Sequence, residues 1–158
     1  MGRICLNMAA VEVRAPASQE EWQAYFELRW QLLRAPWQQP RGSERDEYEN
    51  TAVHRMICDE DNRILAVGRL HRVATSTGQI RFMAVAESCR RQGLGRRLLE
   101  SLESAARDGG RSEIIVQARE SSVRFYENAG YRLVAKSHRL FNEIQHFKMH
   151  KVLSGSQG

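Results

Sequence analysis

Apolar and polar positions along this chain change period several times, and each change predicts an element. Val11 to Arg14 reads as a short first strand. Ser18 and Glu21 have the spacing of a capping box, and Trp22, Phe26, Trp30 and Leu33 then recur at helical intervals, which predicts a helix with one core-facing stripe. Pro36 and Pro40 must break it within Ala35 to Gly42. Ser43 predicts the cap of a second, short helix through Asn50, with Glu44, Asp46 and Glu47 favourably placed in its first turn. Strands are expected over Val53 to Asp59 and Ile64 to Val73, joined by a turn at Asp59-Glu60-Asp61-Asn62, and over Gln79 to Ala86 after a turn at Ser76-Thr77-Gly78.

The second half alternates helix and strand. Leu94, Leu98, Leu102 and Ala106, widened by Leu99 and Ala105, form one face of a helix that Gly109-Gly110 ends. A strand at Glu113 to Ala118, a helix at Ser121 to Ala129 closed by Gly130, and a strand at Tyr131 to Lys136 follow. His146, Lys148 and His150 alternate with Phe147, Met149 and Lys151, the pattern of a last strand. The order predicts a mixed α/β (α+β) architecture with about four helices, in which a strand-helix-strand crossover links parallel neighbours.

At 158 residues the chain suits one domain, expected over residues 9–152, with residues 1–8 and 153–158 as flexible termini and Met8 as an alternative start. No repeat, linker or low-complexity segment interrupts it. No apolar run reaches the length of a membrane span or resembles a signal peptide, and Leu6 stands where a Gly2 myristoylation motif needs Ser or Thr. Cys5, Cys58 and Cys89 are odd in number and have no metal-like spacing, which predicts a reducing cytoplasm and no metal centre. Cys89 reads as a small buried residue. The net charge of +5 comes from cations scattered along the chain with no basic arm, so nucleic acid and membrane are not expected partners.

One cluster of cations is local. Arg90-Arg91-Gln92-Gly93-Leu94-Gly95 joins a strand to a helix and is followed by Arg96. A glycine-containing turn opening into a helix presents successive backbone N–H groups and the positive end of the helix dipole to one point, as a diphosphate requires. The spacing is neither G-x-x-x-x-G-K-[ST] nor G-x-G-x-x-G, which argues against ATP and NAD.

The spacing does resemble the pyrophosphate loop of the GNAT acetyltransferase superfamily, [Q/R]-x-x-G-x-[G/A], with Arg90, Gly93 and Gly95 at its defining positions. Phe125-Tyr126-Glu127-Asn128-Ala129-Gly130-Tyr131 resembles that family's F-Y-x-x-x-G-[F/Y] segment about thirty residues on. The resemblance covers roughly residues 10 to 152 and is to the bacterial, small-molecule type. It implies the GNAT fold, with a mixed central sheet of about seven strands splayed between those at 79–86 and 113–118. Acetyl-CoA is the implied cofactor, bound by Met83, Ala84 and Val85 through their backbone and by Arg90, Arg91, Gln92, Gly93, Leu94, Gly95 and Arg96. The Val85 N–H is the implied oxyanion donor, and Tyr126 the implied general acid at the departing thiolate.

A primary ammonium of pKa about 10.4 is only about one part in a thousand free base at pH 7.4, so a base is useful. Glu44, Glu47, His54, His71 and Glu87 are candidates, with His71 and Glu44 carried forward as catalytic residues. The acceptor expected from the resemblance is a small-molecule amine. Residues 36–46, together with Arg81 to Val85, also resemble the acetyltransferase half of fusions with a hotdog thioesterase-like domain; no such domain follows in this sequence. Relatives that acetylate protein N-termini carry Asn six residues before the Phe of the F-Y pair, whereas Arg119 stands there. The alternatives left open are a non-catalytic acyl-CoA-binding module and transfer to a protein amine or carrier protein. A homodimer is compatible with the resemblance.

Overall fold

The computed structural model describes residues 6–154. Seven strands form one mixed sheet in the order β1-β2-β3-β4-β5-β7-β6. They are β1 (Glu12–Arg14), β2 (Val53–Cys58), β3 (Ile64–Ala74), β4 (Thr77–Val85), β5 (Glu113–Arg119), β6 (Arg132–Leu140) and β7 (Ile144–Val152). Three α-helices are present among the described residues: α1 (Gln19–Leu33), α2 (Leu94–Asp108) and α3 (Val123–Asn128). The crossover through α2 makes β4 and β5 parallel neighbours, as expected. Their ladder runs from Thr77–Glu113 to Ile80–Val116 and stops there, while β4 continues to Val85 and β5 to Arg119.

The chain divides into two compact units, one of residues 1–69 and 82–102, the other of residues 70–81 and 103–158. In the first, α1 begins on the expected capping box: the Ser18 hydroxyl accepts from the Glu21 N–H at 3.1 Å, and Glu21 reaches back to the Ser18 N–H. Tyr25, Phe26, Met56, Cys58 and Val67 form its core. Gly68 is required by close approach, because a Cβ there would stand 2.6 Å from Met83 Sδ and 3.0 Å from the Leu102 side chain. In the second unit, Ile114, Val116 and Ala118 point to one face of β5 and are buried. Tyr131 donates to the buried Glu103 at 2.7 Å, and Lys151 Nζ lies 3.1 Å from the same carboxylate and 2.9 Å from the Ala129 carbonyl.

The helix expected from Ser43 to Asn50 does not form; this segment is a series of turns, so three α-helices stand where about four were expected. Its polar side chains bond to nearby backbone and so compete with the helical ladder: Glu44 takes the Gly42 N–H at 2.7 Å, Asp46 takes the Tyr48 N–H at 2.9 Å, and Glu49 takes the Asp46 N–H at 3.0 Å. The turn before β4 is shorter than expected, Thr75-Ser76, and β4 starts at Thr77. Helix α3 is also shorter, since Glu120–Ser122 form a 3₁₀ turn before it. Of the termini expected to be flexible, residues 1–5 and 155–158 lie outside the described residues, and so does Cys5. The described flanks are bonded: the Leu6 N–H donates to Gln92 Oε1 at 3.0 Å, and the Leu153 N–H to the Ser112 carbonyl at 2.8 Å.

Candidate active site

In the first unit, β4 leads through a 3₁₀ turn, Glu87–Cys89, into the loop at Arg90 and then into α2. Two residues of this loop are left-handed, Arg91 at φ +63° and Gly93 at φ +84°. Alternating left-handed residues turn the chain sharply and gather its N–H groups on one side. Helix α2 starts at once at Leu94, and its first ladder bond in this turn is the Arg97 N–H to the Gly93 carbonyl at 3.1 Å. The N–H groups of Leu94, Gly95 and Arg96 therefore belong to the first helical turn, which has no intrahelical acceptor for them. A Cβ on Gly93 would meet nothing within 4 Å, so glycine is needed there for its backbone and not for lack of room. These features fit a diphosphate.

The strand end is held in place on both sides of Met83, Ala84 and Val85. The Ala86 N–H donates to the Leu65 carbonyl at 2.8 Å, and Arg90 Nε donates to the Val85 carbonyl at 3.1 Å. Upstream, Phe82 adopts φ +58° within β4, a left-handed backbone that no sequence pattern announces. Cys89 is buried and free, as read from the sequence.

A match to the model of the GNAT acetyltransferase domain extends over residues 35–153. The chain belongs to the GNAT acetyltransferase family. As a GNAT enzyme it is an acyltransferase, and its cofactor is acetyl-CoA. It is 31% identical over 134 residues to the uncharacterized N-acetyltransferase YjcF of Bacillus subtilis, covering 85% of this chain and 94% of that one. A solved Lactobacillus plantarum structure matches with TM-score 0.81 at 22% identity, over 92% of this chain and 99% of the other. An aminoglycoside 6'-N-acetyltransferase complexed with coenzyme A matches with TM-score 0.75 at 15% identity, over 94% and 99%.

The second unit of this GNAT enzyme carries Tyr126, on α3. The ring is buried against Phe125 and Tyr131, with centroids 5.1 and 5.4 Å away. Burial raises the phenol well above its ordinary range, and the positive charge of Arg119 only partly opposes this. Tyr126 is therefore a protonated donor at neutral pH. Arg119 pairs in register with His146 of β7.

The base candidates are placed differently. Glu44 is buried, accepts the Gly42 N–H at 2.7 Å and lies 3.4 Å from Arg45 Nε, while its main-chain carbonyl takes a bond from Arg29. His54 is buried with both ring nitrogens engaged, Nδ1 by the Tyr25 hydroxyl at 2.9 Å and Nε2 by the Glu49 carbonyl at 2.8 Å. His71, on β3 in the second unit, is buried.

Residues that sequence reasoning did not single out hold the Gly42 to Glu49 segment. Arg29 and Arg69, both fully buried, share Glu49 Oε2 at 2.9 and 2.8 Å, and Arg69 also forks onto Asp46 at 2.6 and 2.9 Å. Arg29 sits one turn from Tyr25 and Phe26 on α1, and this position on the apolar stripe was its only signal. A cavity of about 700 Å³ beside this network is lined by Trp22, Phe26, Arg45, Glu49 and His54, and by no residue of the loop at Arg90 to Arg96. No helix among the described residues is long and apolar enough to cross a membrane.

Proposed function

We propose that this GNAT enzyme transfers the acetyl group of acetyl-CoA to the primary amine of a small molecule by direct attack in a ternary complex, with residues 9–152 acting as one catalytic domain. The observation that carries the binding half of this reading is the left-handed pair Arg91 and Gly93 immediately before the N-terminus of α2. The N–H groups from Arg91 to Arg96 take the diphosphate, and the cationic side chains of Arg90, Arg91 and Arg96 add charge around it. The backbone of Met83, Ala84 and Val85 takes the amide-containing arm, much as a strand edge takes a peptide.

Acetyl-CoA, when bound, supplies the acetyl group as a thioester. The Val85 N–H faces the negative charge that develops on the acyl oxygen, where a preorganised backbone donor needs no reorientation during the reaction. Tyr126 gives its proton to the departing sulfur. Because thiols have pKa near 8.5 and phenols near 10, the sulfur leaves tolerably well without this proton, so Tyr126 accelerates the step without being indispensable. His71 takes the proton of the incoming amine. Glu44 suits that duty less well, since its carboxylate already serves the Gly42 N–H and Arg45.

The test is release of coenzyme A, followed with a thiol reagent, when acetyl-CoA is added with polyamines, amino acids, aminoglycosides or peptides. Turnover with a small amine supports the reading. Turnover with peptides only transfers the activity to a protein amine, and tight binding of acetyl-CoA without turnover makes the chain a non-catalytic acyl-CoA-binding module.

A further inference from the structure

Phe82 is a phenylalanine in a conformation that residues other than glycine occupy only where their surroundings over-determine it. Three guanidinium groups stand around its ring. The central carbons of Arg29, Arg69 and Arg34 lie 4.3, 4.9 and 5.5 Å from the centroid of the buried Phe82 ring. Cations at such distances are attracted to an aromatic face, and the more so where water is excluded.

Each guanidinium is itself fixed by the 43–49 segment. Arg29 and Arg69 converge on Glu49 Oε2, Arg69 forks onto Asp46, and Arg34 Nε donates to the Ser43 carbonyl at 3.0 Å. The ring thus packs against guanidinium groups that buried ion pairs hold in place, and swinging it away forfeits those contacts. Four residues further on, the Ala86 N–H fixes the other end of this stretch on the Leu65 carbonyl. Between these anchors lie Met83, Ala84 and Val85.

We propose that Arg29 and Arg69 are positioning residues for acetyl transfer: by clamping the Phe82 ring they hold the left-handed backbone at this position of β4 and so aim the backbone of Met83 to Val85 at the acyl group. This rests on the acetyl-transfer reading above. The clamp joins the 43–49 segment to the acyl-group end of β4 and leaves the loop at Arg91 to Arg96 out of the chain of contacts. Its loss is expected chiefly in kcat, with a smaller loss of affinity for coenzyme A, whose amide-containing arm the same backbone takes.

The deciding comparison is Phe82→Ala against Phe82→Gly. Both remove the ring, but only glycine adopts a positive φ at no steric cost. Misplacement of reacting groups by about 1 Å costs on the order of 100-fold in rate, so Phe82→Ala is expected to lose between about 10- and 100-fold in kcat, and Phe82→Gly to recover at least about half of that loss on a logarithmic scale. Coenzyme A affinity, measured by calorimetry, is expected to fall by less than kcat does, because the loop at Arg91 to Arg96 still takes the diphosphate while the arm contacted by Met83 to Val85 is weakened. Arg69→Met is expected to lower kcat in the Phe82 protein and to add no further loss in the Phe82→Gly protein.

A Phe82→Gly protein no more active than Phe82→Ala overturns the proposal, because a packing role alone makes glycine the worse of the two. A crystal structure of Arg69→Met supplies a readout independent of turnover: the proposal predicts a negative φ at residue 82, and a retained positive φ overturns it. If Arg69→Met does not fold, the crystal structure of Phe82→Ala answers the same question, since without the ring φ is expected to return to negative values. An enzyme with no turnover on any amine removes the acetyl-transfer reading and leaves these structural readouts to decide the clamp.

Discussion

The Tyr25 hydroxyl lies 2.9 Å from Nδ1 of His54, and both residues are buried. The same hydroxyl lies 3.0 Å from the Gly68 carbonyl, so helix α1 is tied through one atom to β2 and β3. The Glu49 carbonyl can only accept, so the neutral His54 ring bears its proton on Nε2, and the single Tyr25 hydroxyl proton goes to the Gly68 carbonyl, an assignment made from the hydrogen-bond network.

This arrangement predicts how stability depends on pH. Burial holds the His54 imidazole below its ordinary value of 6.5. Below that value the unfolded chain binds a proton that the folded protein refuses, so stability falls as pH drops from about 6.5 toward the folded-state value, while at higher pH the ring is neutral in both states and contributes nothing. The melting temperature is expected to decline between pH 7 and pH 5, and His54→Gln to show a shallower decline. A residual slope remains from His146, which burial also holds below 6.5. Parallel curves for the two proteins would exclude His54 as a source.

At the cofactor loop, Gly93→Val places a β-branched residue at φ +84°, where such residues are genuine outliers. Calorimetry is expected to show coenzyme A binding weakened by at least about 100-fold, because the N–H groups that converge through this turn no longer do so. Arg91→Ala removes one exposed charge and is expected to weaken binding by less than about tenfold, the range of a partly screened contact. Equal effects of the two substitutions would show that charge, and not backbone geometry, holds the diphosphate.

Replacing Tyr126 by Phe keeps the ring against Phe125 and Tyr131 and removes only the hydroxyl. Turnover is expected to fall by roughly tenfold to a thousandfold, at or below the usual range for a general acid. Since burial raises this phenol, the wild-type rate is not expected to lose activity at alkaline pH through Tyr126 itself within the range where the protein is folded. Unchanged turnover in a folded Tyr126→Phe enzyme would remove the residue from the mechanism.

The second tyrosine of the same motif has a different role. Tyr131 and Lys151 converge on the buried carboxylate of Glu103. Lys151→Met strands that charge and is expected to cost about 3–5 kcal/mol in urea unfolding, with part of the loss restored by adding Glu103→Gln, because removing both charges leaves none unpaired. A single substitution costing less than about 1 kcal/mol would place the pair with ordinary surface salt bridges.

Much of the architecture was legible in local pattern. The capping box at Ser18, the leucine face of α2, the glycines that end α2 and α3, and the strands β5 and β7 each depend on neighbours within a few residues and form as expected, although burial in β7 falls on His146 and Met149 and does not alternate. The turn at Arg90 to Gly95 was legible for the same reason: a glycine-containing turn entering a helix is a local object.

What the local pattern missed was decided by distant partners. Arg29 reads as a charged position on a surface helix, yet it is fully buried, because Glu49 and the carbonyl of Glu44 reach it from the segment after α1. The acidic run from Glu44 to Glu49 reads as a helix start, but Asp46 and Glu49 are drawn to Arg69 on β3, and the turns persist. Phe82 reads as an ordinary strand residue, yet its backbone is left-handed and three arginines from distant parts of the chain pack around its ring. Short-range hydrophobic periodicity and backbone propensity thus determined most of the elements, their order and the turn that enters α2. The tertiary structure alone decided which charges are buried together, because an ion pair in a dry interior depends on residues far apart in the chain and leaves no periodic trace in it.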